Sequence, residues 1–415
     1  MLHLTFHPAA IAGTVVFLVS YLVFAFGHIP RTGIGRTAMA IISGTLMVML
    51  GVLTPRQALD AINFPTLLLL LGMMLLAGGL DEAGFFSWLT DHTLAHLPPR
   101  YLLPAVILTS GVLSALLVND VVCVILTPLV LEVTRRMRRL PLPHLLALAT
   151  ASNIGSVATI TGNPQNILIG SVSHISYIEF LLKLGPIALL GLAADYAILA
   201  WLFRNALHVE AKSAATPADG VKQEPSFRAM VWPLIILLLV SIAFLSGMDP
   251  AMSAIAGACL LLVSRHRDAR FLLAHVDVSL LVFFVGLFIV LAGGEAAGVN
   301  EKLLLWAEHL NLKNTVVFIG VTTLLSNLVS NVPAVLLLKP VVLHQGGTHA
   351  GWLLLAMAST LAGNLTITGS VANIIVVQIA RREARVSFWQ YLRVGLPITL
   401  VTLCIGWAWL HWLDQ

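Results

Sequence analysis

Charged residues are scarce in this sequence. Lysine, arginine, aspartate and glutamate make up 10% of its 415 residues, whereas 58% are hydrophobic. A soluble domain carries roughly 25% charged residues. The shortage extends along the whole chain, and many apolar runs reach the roughly 20 residues that span a bilayer. This excludes a soluble protein with a single anchor and predicts a multi-pass membrane protein.

The sequence also lacks the usual markers of an enzyme or a cofactor-binding protein. Its three cysteines are far apart and form no CxxC pair, so they predict no disulfide. The 14 histidines show no paired ligand spacing, and no Gly-rich phosphate-binding loop is present. No arrangement of nucleophile and base is visible. We therefore expect no metal, no cofactor and no enzymatic activity.

The net charge of +4 could indicate a nucleic-acid partner in a soluble protein. Here the arginines cluster in short segments between apolar runs, a pattern that sets membrane topology. We expect no nucleic-acid partner. The clusters expected on the cytoplasmic side are Arg31 and Arg36, Arg135 to Arg139, Arg204 to Arg228, Arg265 to Arg270, and Arg381 to Arg385.

One unusual pattern occurs twice. In the first half, Asn119-Asp120 interrupts one apolar run and the polar stretch 161–166 interrupts another. In the second half, Ser330-Asn331 and the stretch 368–373 do the same. Polar, helix-breaking residues at membrane depth are costly unless they line a protein cavity. Matched breaks in two halves of a chain indicate the binding site of a transporter.

The apolar runs that follow these interruptions are too short to span a bilayer. They are 121–134, 166–174, 332–343 and 373–380. Their lengths predict two re-entrant helical hairpins and two helices that are broken near mid-membrane.

The two halves can be aligned by fixed shifts along the chain. One shift places Asn119 on Asn331, and a second places Thr161 on Thr368 and Asn166 on Asn373. The order of the matched motifs is the same in both halves, which predicts an internal duplication. We expect a first repeat at 1–203, a cytoplasmic linker at 204–228 and a second repeat at 229–415.

If each hairpin dips into the membrane and returns, each half has an odd number of crossings, so the halves should have opposite topology. The arginine clusters agree with this topology. The predicted fold is an all-α integral membrane protein with an inverted-topology repeat. It has about ten crossing helices plus the two hairpins and two broken helices. The expected location is the cell inner (plasma) membrane.

The breaks expose helix ends whose backbone groups lack partners within the helix. Half-helix N-termini carry partial positive charge, and glycine allows the backbone to approach a ligand closely. The alternative is that the polar side chains only satisfy the broken backbone. With Gln165 beside them, the residues predicted to bind the substrate are Asn119, Thr161, Gly162, Asn163, Asn166, Ser330, Asn331, Thr368, Gly369, Ser370 and Asn373.

Asp120 is the one acid beside a predicted tip, and its repeat mate is Val332. An intramembrane acid is typical of proton coupling, so we expect Asp120 to carry a coupling proton. The alternative is a structural acid that is paired with an arginine or caps the following half-helix. Asp195, inside another apolar run, is expected to have a buried structural partner. Cys123 could bind a soft metalloid, but a lone buried cysteine is more often a core residue.

The stretches 117–128 and 152–166 resemble the arsenite permease and related anion permeases of the ion transporter superfamily, and 80–88 resembles the arsenite/antimonite efflux branch. The resemblance implies that the substrate is arsenite or antimonite, exported by proton antiport or with an ATPase subunit. It also implies that the protein is a homodimer and that it has scaffold and transport domains. The sodium–dicarboxylate relatives carry Ser-Asn-Thr at each tip; here 118–120 and 330–332 depart from that pattern.

Two alternatives from the same superfamily stay open: a permease for inorganic or carboxylate anions, and a sodium/proton antiporter. A channel is a third. Arsenite is uncharged at neutral pH, and amides and hydroxyls suit such a solute because they both donate and accept hydrogen bonds. The predicted site contains no arginine, and the nearest cationic residue, Lys339, lies away from its tip. The sequence therefore favours an uncharged or weakly charged substrate.

Overall fold

A computed structural model of the protein describes residues 8–27, 32–208, 227–264 and 269–413. The elements in these residues are all helices, which confirms the predicted all-α fold. Most of the predicted linker 204–228 lies outside the described residues. So do three arginines of the predicted cytoplasmic clusters, namely Arg31, Arg265 and Arg267.

Twenty α-helices follow one another along the described residues. In the first half they are α1 (Pro8–Phe26), α2 (Arg36–Met49), α3 (Pro55–Asp60), α4 (Phe64–Glu82), α5 (Phe85–His96), α6 (Leu102–Leu116), α7 (Asn119–Arg136), α8 (Pro141–Ser156), α9 (Pro164–Ser173) and α10 (Tyr177–Leu202). In the second half they are α11 (Phe227–Leu245), α12 (Pro250–Ser264), α13 (Ala269–Leu273), α14 (Val278–Ala296), α15 (Val299–His309), α16 (Thr315–Val329), α17 (Asn331–His344), α18 (His349–Ala362), α19 (Val371–Ala380) and α20 (Phe388–Leu413).

Six helical segments in the described residues are long and apolar enough to cross a membrane. They are α1, α4, α6 with the turn before it, α10, α14 and α20. The helices around the predicted interruptions are shorter, with lengths of 10 to 18 residues. Such lengths are typical of half-helices that meet inside a membrane protein.

The hairpins and breaks lie where the sequence predicts them. Residues 117–118 join α6 to α7, and Ser330 joins α16 to α17. Between α8 and α9, and again between α18 and α19, the chain leaves the α-helix and makes one 3-10 turn, at Ile160–Gly162 and at Ile367–Gly369.

One arm of the first hairpin is longer than predicted. The expected run was 121–134, but α7 extends to Arg136 because its last turn is stabilised by ion pairs from Glu132 to Arg135 and Arg136. A second difference is α5, which is not an apolar run in the sequence. It starts after Gly84 in the left-handed conformation, as α15 starts after Gly298. The two short helices are therefore equivalent elements of the two halves.

The halves pack on each other reciprocally. Helix α4 packs against α12, and α2 packs against α14. A Cβ on Gly72 would lie 2.7 Å from the carbonyl carbon of Ala254, and a Cβ on Gly286 would lie 2.5 Å from that of Ala40. Small residues allow this close approach of helices in membrane proteins. The same shift along the chain takes Gly72 to Gly286 and Ala40 to Ala254, which supports the predicted duplication. The opposite orientation of the halves stays a prediction.

The broken helices lie at the centre of the molecule. Every residue of α8 from Pro143 to Ser156 is buried, as is every residue of α18 from Trp352 to Ala362. Large apolar side chains on the outer helices are instead exposed, for example Val263 at 85% and Leu182 at 65%, as expected for a lipid-facing surface. The breaks in α8 and α18 therefore bring polar groups into the protein interior.

Candidate functional site

Four helices begin at one central cavity. They are α7 and α9 from the first half and α17 and α19 from the second. The cavity has a volume of about 150 Å³. A helix N-terminus offers N–H groups that lack partners within the helix and about half an elementary positive charge. Six of the residues named from the sequence line this cavity: Asn119, Asp120, Gln165, Ser330, Asn331 and Ser370.

The second tip has a strained backbone. Ser330 has φ +77 and ψ 158, a region that residues with a side chain rarely adopt. Such strain persists where the surrounding structure holds it and often occurs at functional sites. At the first tip, Val118 has ordinary extended angles. The two tips therefore differ in backbone conformation although an asparagine starts the following helix in both.

The glycines of the two breaks occupy equivalent, crowded positions. A Cβ on Gly162 would overlap the carbonyl oxygen of Ser156, and a Cβ on Gly369 would lie 2.9 Å from that of Gly363 and 2.6 Å from the Asn327 side chain. Neither glycine lines the cavity. Their role in the structure is to let the irregular segment fold back onto the end of the preceding helix.

Two equivalent asparagines satisfy carbonyl groups of the broken helices. Asn166 Nδ2 donates to the carbonyl groups of Ser156 and Thr159, both at 3.0 Å. Asn373 Nδ2 donates in the same way to Gly363 at 2.7 Å and Thr366 at 3.0 Å. Neither asparagine lines the cavity. The contacts of both amides are those expected if the side chains only satisfy the broken backbone, which is the alternative to substrate binding.

The two halves are also joined through their breaks. Asn153 of α8 donates to Asn373 Oδ1 at 2.9 Å and accepts from Ser370 at 3.0 Å. Thr360 of α18 mirrors it, since it accepts from Asn163 at 3.2 Å and donates to Asn166 at 3.3 Å. Sequence reasoning missed Thr360, although the shift that relates the breaks places it on Asn153.

The tip asparagines use this same network. Asn119 Nδ2 donates to Asn153 Oδ1 at 3.0 Å. With its amide nitrogen facing two carbonyls, Asn331 donates to Ser359 at 3.2 Å and Gly369 at 3.1 Å, and accepts from Gln165 at 3.2 Å. The tips are therefore held in place by amide contacts, while their helix N-termini face the cavity.

Charged groups line one side of the cavity. Asp120 is half-buried and faces the backbone N–H of Ala372, at the start of α19 in the other half. Arg36 and Asp277 also line the cavity, from the first residue of α2 and the residue before α14. Arg36 Nε donates to the carbonyl of Phe24 at 2.9 Å. Asp277 accepts from the N–H of Leu280 at 2.9 Å.

The prediction of a site without arginine is therefore wrong for this cavity. Arg36 is far from both tips in the sequence. Its place in an arginine cluster indicated membrane topology and not a binding site. The starts of α2 and α14 are joined by a hydrogen bond of 2.8 Å between Thr37 and Ser279, which places Arg36 and Asp277 together. No local motif indicates this contact, because it depends on the packing of one half against the other.

Besides the two glycines and the two asparagines of the breaks, the predicted binding residues Thr161, Asn163 and Thr368 do not line the cavity. Thr161 is buried and its hydroxyl contacts that of Tyr177 at 2.9 Å. Thr368 is exposed and lies 3.3 Å from the Thr366 hydroxyl. Cys123 is fully buried and its thiol donates to Ser152 at 3.1 Å, as expected of a core residue. In the described part of the chain, no group of three metal-ligating side chains occurs.

Comparisons with known proteins cover nearly the whole chain. A protein-family model described as citrate transporter (CitMHS) matches residues 15–362. The silicon efflux transporter LSI3 of Oryza sativa subsp. japonica is 34% identical, with 96% of this chain and 97% of that protein covered. The putative transporter arsB of Dictyostelium discoideum is 26% identical, with 95% and 90% covered.

A solved structure supports the fold. The YdaH transporter of Alcanivorax borkumensis, whose crystal structure is described as having an unusual topology, aligns with 97% of this chain and 98% of its own. The TM-score is 0.59 at 15% sequence identity. At this identity the similarity concerns the fold alone.

Proposed function

This chain belongs to the citrate transporter family within the ion transporter superfamily, and from that membership we propose that it is a secondary active transporter that exports a small inorganic hydroxide in exchange for protons. The first candidates are arsenite and antimonite. The proposed location is the cell inner (plasma) membrane. A membrane transporter is what the family and its relatives have in common; substrate and coupling ion are the parts proposed here.

The cavity carries this proposal. A cavity of about 150 Å³ compares with engineered cavities that hold benzene, so it suits arsenite, which is smaller, better than citrate, which is much larger. Its polar lining consists mainly of amides, hydroxyls and helix N-termini. These groups can donate hydrogen bonds to the hydroxyl oxygens of the solute and accept them in return.

The relatives support the same class of solute. One relative is named for silicon efflux, and dissolved silicon is silicic acid, an uncharged hydroxide like arsenite. Silicic acid is therefore a further candidate for this chain. The shared chemistry is a compact centre that carries several hydroxyl groups and no net charge at neutral pH.

We propose that Asp120 carries the coupling proton. Its carboxylate faces the N-terminus of α19, where a negative charge is favourable. Proton binding would remove that attraction between the first hairpin and the second broken helix. Asp120 would then link protonation to movement of the two elements that border the substrate, and alternating access would follow from that movement.

A carboxylate or inorganic anion permease is the second candidate. It is favoured by Arg36 in the cavity lining and by the four helix N-termini, because both attract anions. Asp120 and Asp277 in the same lining oppose it. The two candidates do not differ in the direction of the current, because an anion that leaves and a proton that enters both make the interior more positive. They differ in the solute that moves, so the flux of the anion and the flux of the neutral hydroxide have to be measured separately.

The test is flux in proteoliposomes that contain only the purified protein. Arsenite, silicic acid and citrate are offered in turn under an imposed pH gradient. Wild type is compared with Asp120→Asn and Asn331→Ala, and with Ser241→Ala as a control, because the Ser241 hydroxyl donates only within its own helix. We expect uphill movement of arsenite in wild type and the control, and its loss in the other two variants.

Other outcomes separate the alternatives. Citrate movement with a current, and no hydroxide movement, would establish the anion permease. Sodium-driven alkalinisation without any solute would establish a sodium/proton antiporter, and purely downhill flux would establish a channel. Uphill flux by the purified protein would also show that the ATPase subunit implied by the resemblance is not required. The mass of the protein in the same preparation tests the expected homodimer.

A further inference from the structure

A second acid lies in the helical core, away from the cavity. Asp195, in the middle of α10, is fully buried, and neither of its carboxyl oxygens has a hydrogen-bond partner in the described residues. The Thr150 hydroxyl on α8 lies beside it but donates to the carbonyl of Leu146 at 2.9 Å. The predicted structural partner of Asp195 is therefore not observed.

The helix that crosses α10 presents further polar groups at this point. Helices α10 and α20 are antiparallel, because Trp409 donates to the carbonyl of Lys183 at 2.9 Å and Gly191 lies against Thr402. The same register places Thr399 opposite Asp195. The hydroxyls of Thr399 and Tyr391 on α20 are buried without a partner in the described residues.

Few titratable groups surround this acid. Among the described residues, α20 contributes Tyr391, which also interacts electrostatically with Cys123 of α7. Helix α8 contributes the uncharged Thr150. The other elements packed against α10, which are α6, α11, α18 and the 3-10 turn Ile160–Gly162, contribute no titratable contact to Asp195. A charged carboxylate here would have no compensating cation in the described part of the chain.

A continuous chain of hydrogen bonds connects this region to the first tip. Asn119 donates to Asn153 at 3.0 Å, and Asn153 donates to Asn364 at 2.9 Å. Asn364 donates in turn to the carbonyl of Thr150 at 3.2 Å, and Thr150 lies beside Asp195. The chain ends at the Thr150 backbone, so the helix turn of α8 that carries Thr150 lies between the acid and the contacts that hold the first hairpin.

We propose that Asp195 is a second proton-binding site, which takes up and releases one proton in each transport cycle in addition to Asp120. The proposal rests on proton-coupled transport as proposed above. An unpaired carboxylate in an apolar interior costs several kcal/mol, whereas the neutral acid costs far less. The proton is thus the ligand that best fits this site.

The decisive measurement is the concentration ratio at which net arsenite movement stops, with the membrane potential clamped to zero. A gradient of one pH unit supports about a tenfold ratio for each proton exchanged. Two protons give about a hundredfold ratio in wild type, so we expect Asp195→Asn to lower the ratio about tenfold. A merely structural role changes the rate of movement but leaves this ratio unchanged, and an unchanged ratio overturns the proposal.

The control is Asp60→Asn, which removes an exposed acid on α3 and should leave the ratio as in wild type. Asp195→Glu keeps a carboxyl group and covers the case in which Asp195→Asn does not fold. It should retain the wild-type ratio with a shifted pH dependence of the transport rate. A folded Asp195→Glu protein with the wild-type pH profile contradicts the proposal.

A substrate-free measurement separates this proposal from the proposed function. Infrared difference spectra of the purified protein between acidic and alkaline pH should show the carbonyl band of a protonated carboxyl group, and Asp195→Asn should remove one such band. If wild type moves no arsenite but the band is lost in the variant, the substrate is wrong and the proton site stands. If the band is identical in both proteins, the proton site is wrong.

Discussion

Asn153 is the residue whose removal should show most clearly how the two halves depend on each other. It is 1% exposed and makes four hydrogen bonds with other side chains. Its amide nitrogen donates to Asn364 and Asn373, and its oxygen accepts from Asn119 and Ser370. Asn119 lies at the first tip, and the other three partners lie in or next to the break between α18 and α19. The substitution Asn153→Ala removes the partner of the Asn119 amide nitrogen, of the Ser370 hydroxyl, and of the side-chain oxygens of Asn364 and Asn373.

The expected loss follows from those four contacts. A side-chain hydrogen bond inside a membrane protein contributes about 0.6 kcal/mol on average, which gives roughly 2 kcal/mol for four. Partners that stay buried and unpaired add to this, at about 1 kcal/mol or more each if they find no substitute. We therefore expect Asn153→Ala to lower the free energy of unfolding by about 2–5 kcal/mol.

The assay is unfolding in mixed micelles, with Asn153→Ala compared with wild type and with Ser241→Ala. The single variants Ser370→Ala and Asn153→Ala and their double variant complete a cycle, which should give a coupling energy of at least about 0.5 kcal/mol. A loss below about 0.5 kcal/mol for Asn153→Ala, the size of a typical surface substitution, would refute the view that this amide joins the two breaks.

Three further predictions concern other elements. Gly162→Ala should abolish folding or transport because its methyl group would overlap the Ser156 carbonyl. The control is Gly320→Ala, whose methyl group meets no atom within 4 Å and which should be neutral or stabilising by up to about 1 kcal/mol. Size-exclusion profiles and flux measurements distinguish the two variants. Arg36→Gln should weaken competition by anionic solutes by about 1.5–3 kcal/mol while arsenite flux persists, and equal loss of both would contradict its role as an anion-attracting group. Asp277→Ala should lower the free energy of unfolding by about 1 kcal/mol because α14 loses its N-cap. Asp277→Asn should retain most of that stability, because asparagine also caps helices. Unfolding curves that do not distinguish the two variants would disprove the cap.

The positions of the tips and breaks could be predicted because polar and helix-breaking residues stand out in apolar runs. Asn119, Ser330 and Asn331 interrupt such runs and do line the cavity. The same signal could not tell which polar side chains face the cavity and which face the broken backbone. Asn166 and Asn373 are of the residue type expected to bind a substrate, yet their amides donate to carbonyl groups of their own break.

Of the three charged residues in the cavity lining, only Asp120 could be predicted from the sequence. Arg36 and Asp277 reach it because α2 packs against α14, a contact between distant segments with no local sequence pattern. Arginine is common near helix ends because it sets membrane topology, so its presence there does not by itself indicate a binding site. Likewise α5 escaped detection because it is short and polar, and only its match to α15 identifies it as a repeated element.

The reciprocal contacts of Gly72 with Ala254 and of Gly286 with Ala40 have a consequence for biosynthesis. Helix α4 emerges from the ribosome long before α12, so its small-residue face must wait in lipid until the second half has been inserted. Neither half can complete its own helix packing alone. A chain cut between the halves should therefore assemble only when both fragments are made together, and each fragment made singly should be degraded.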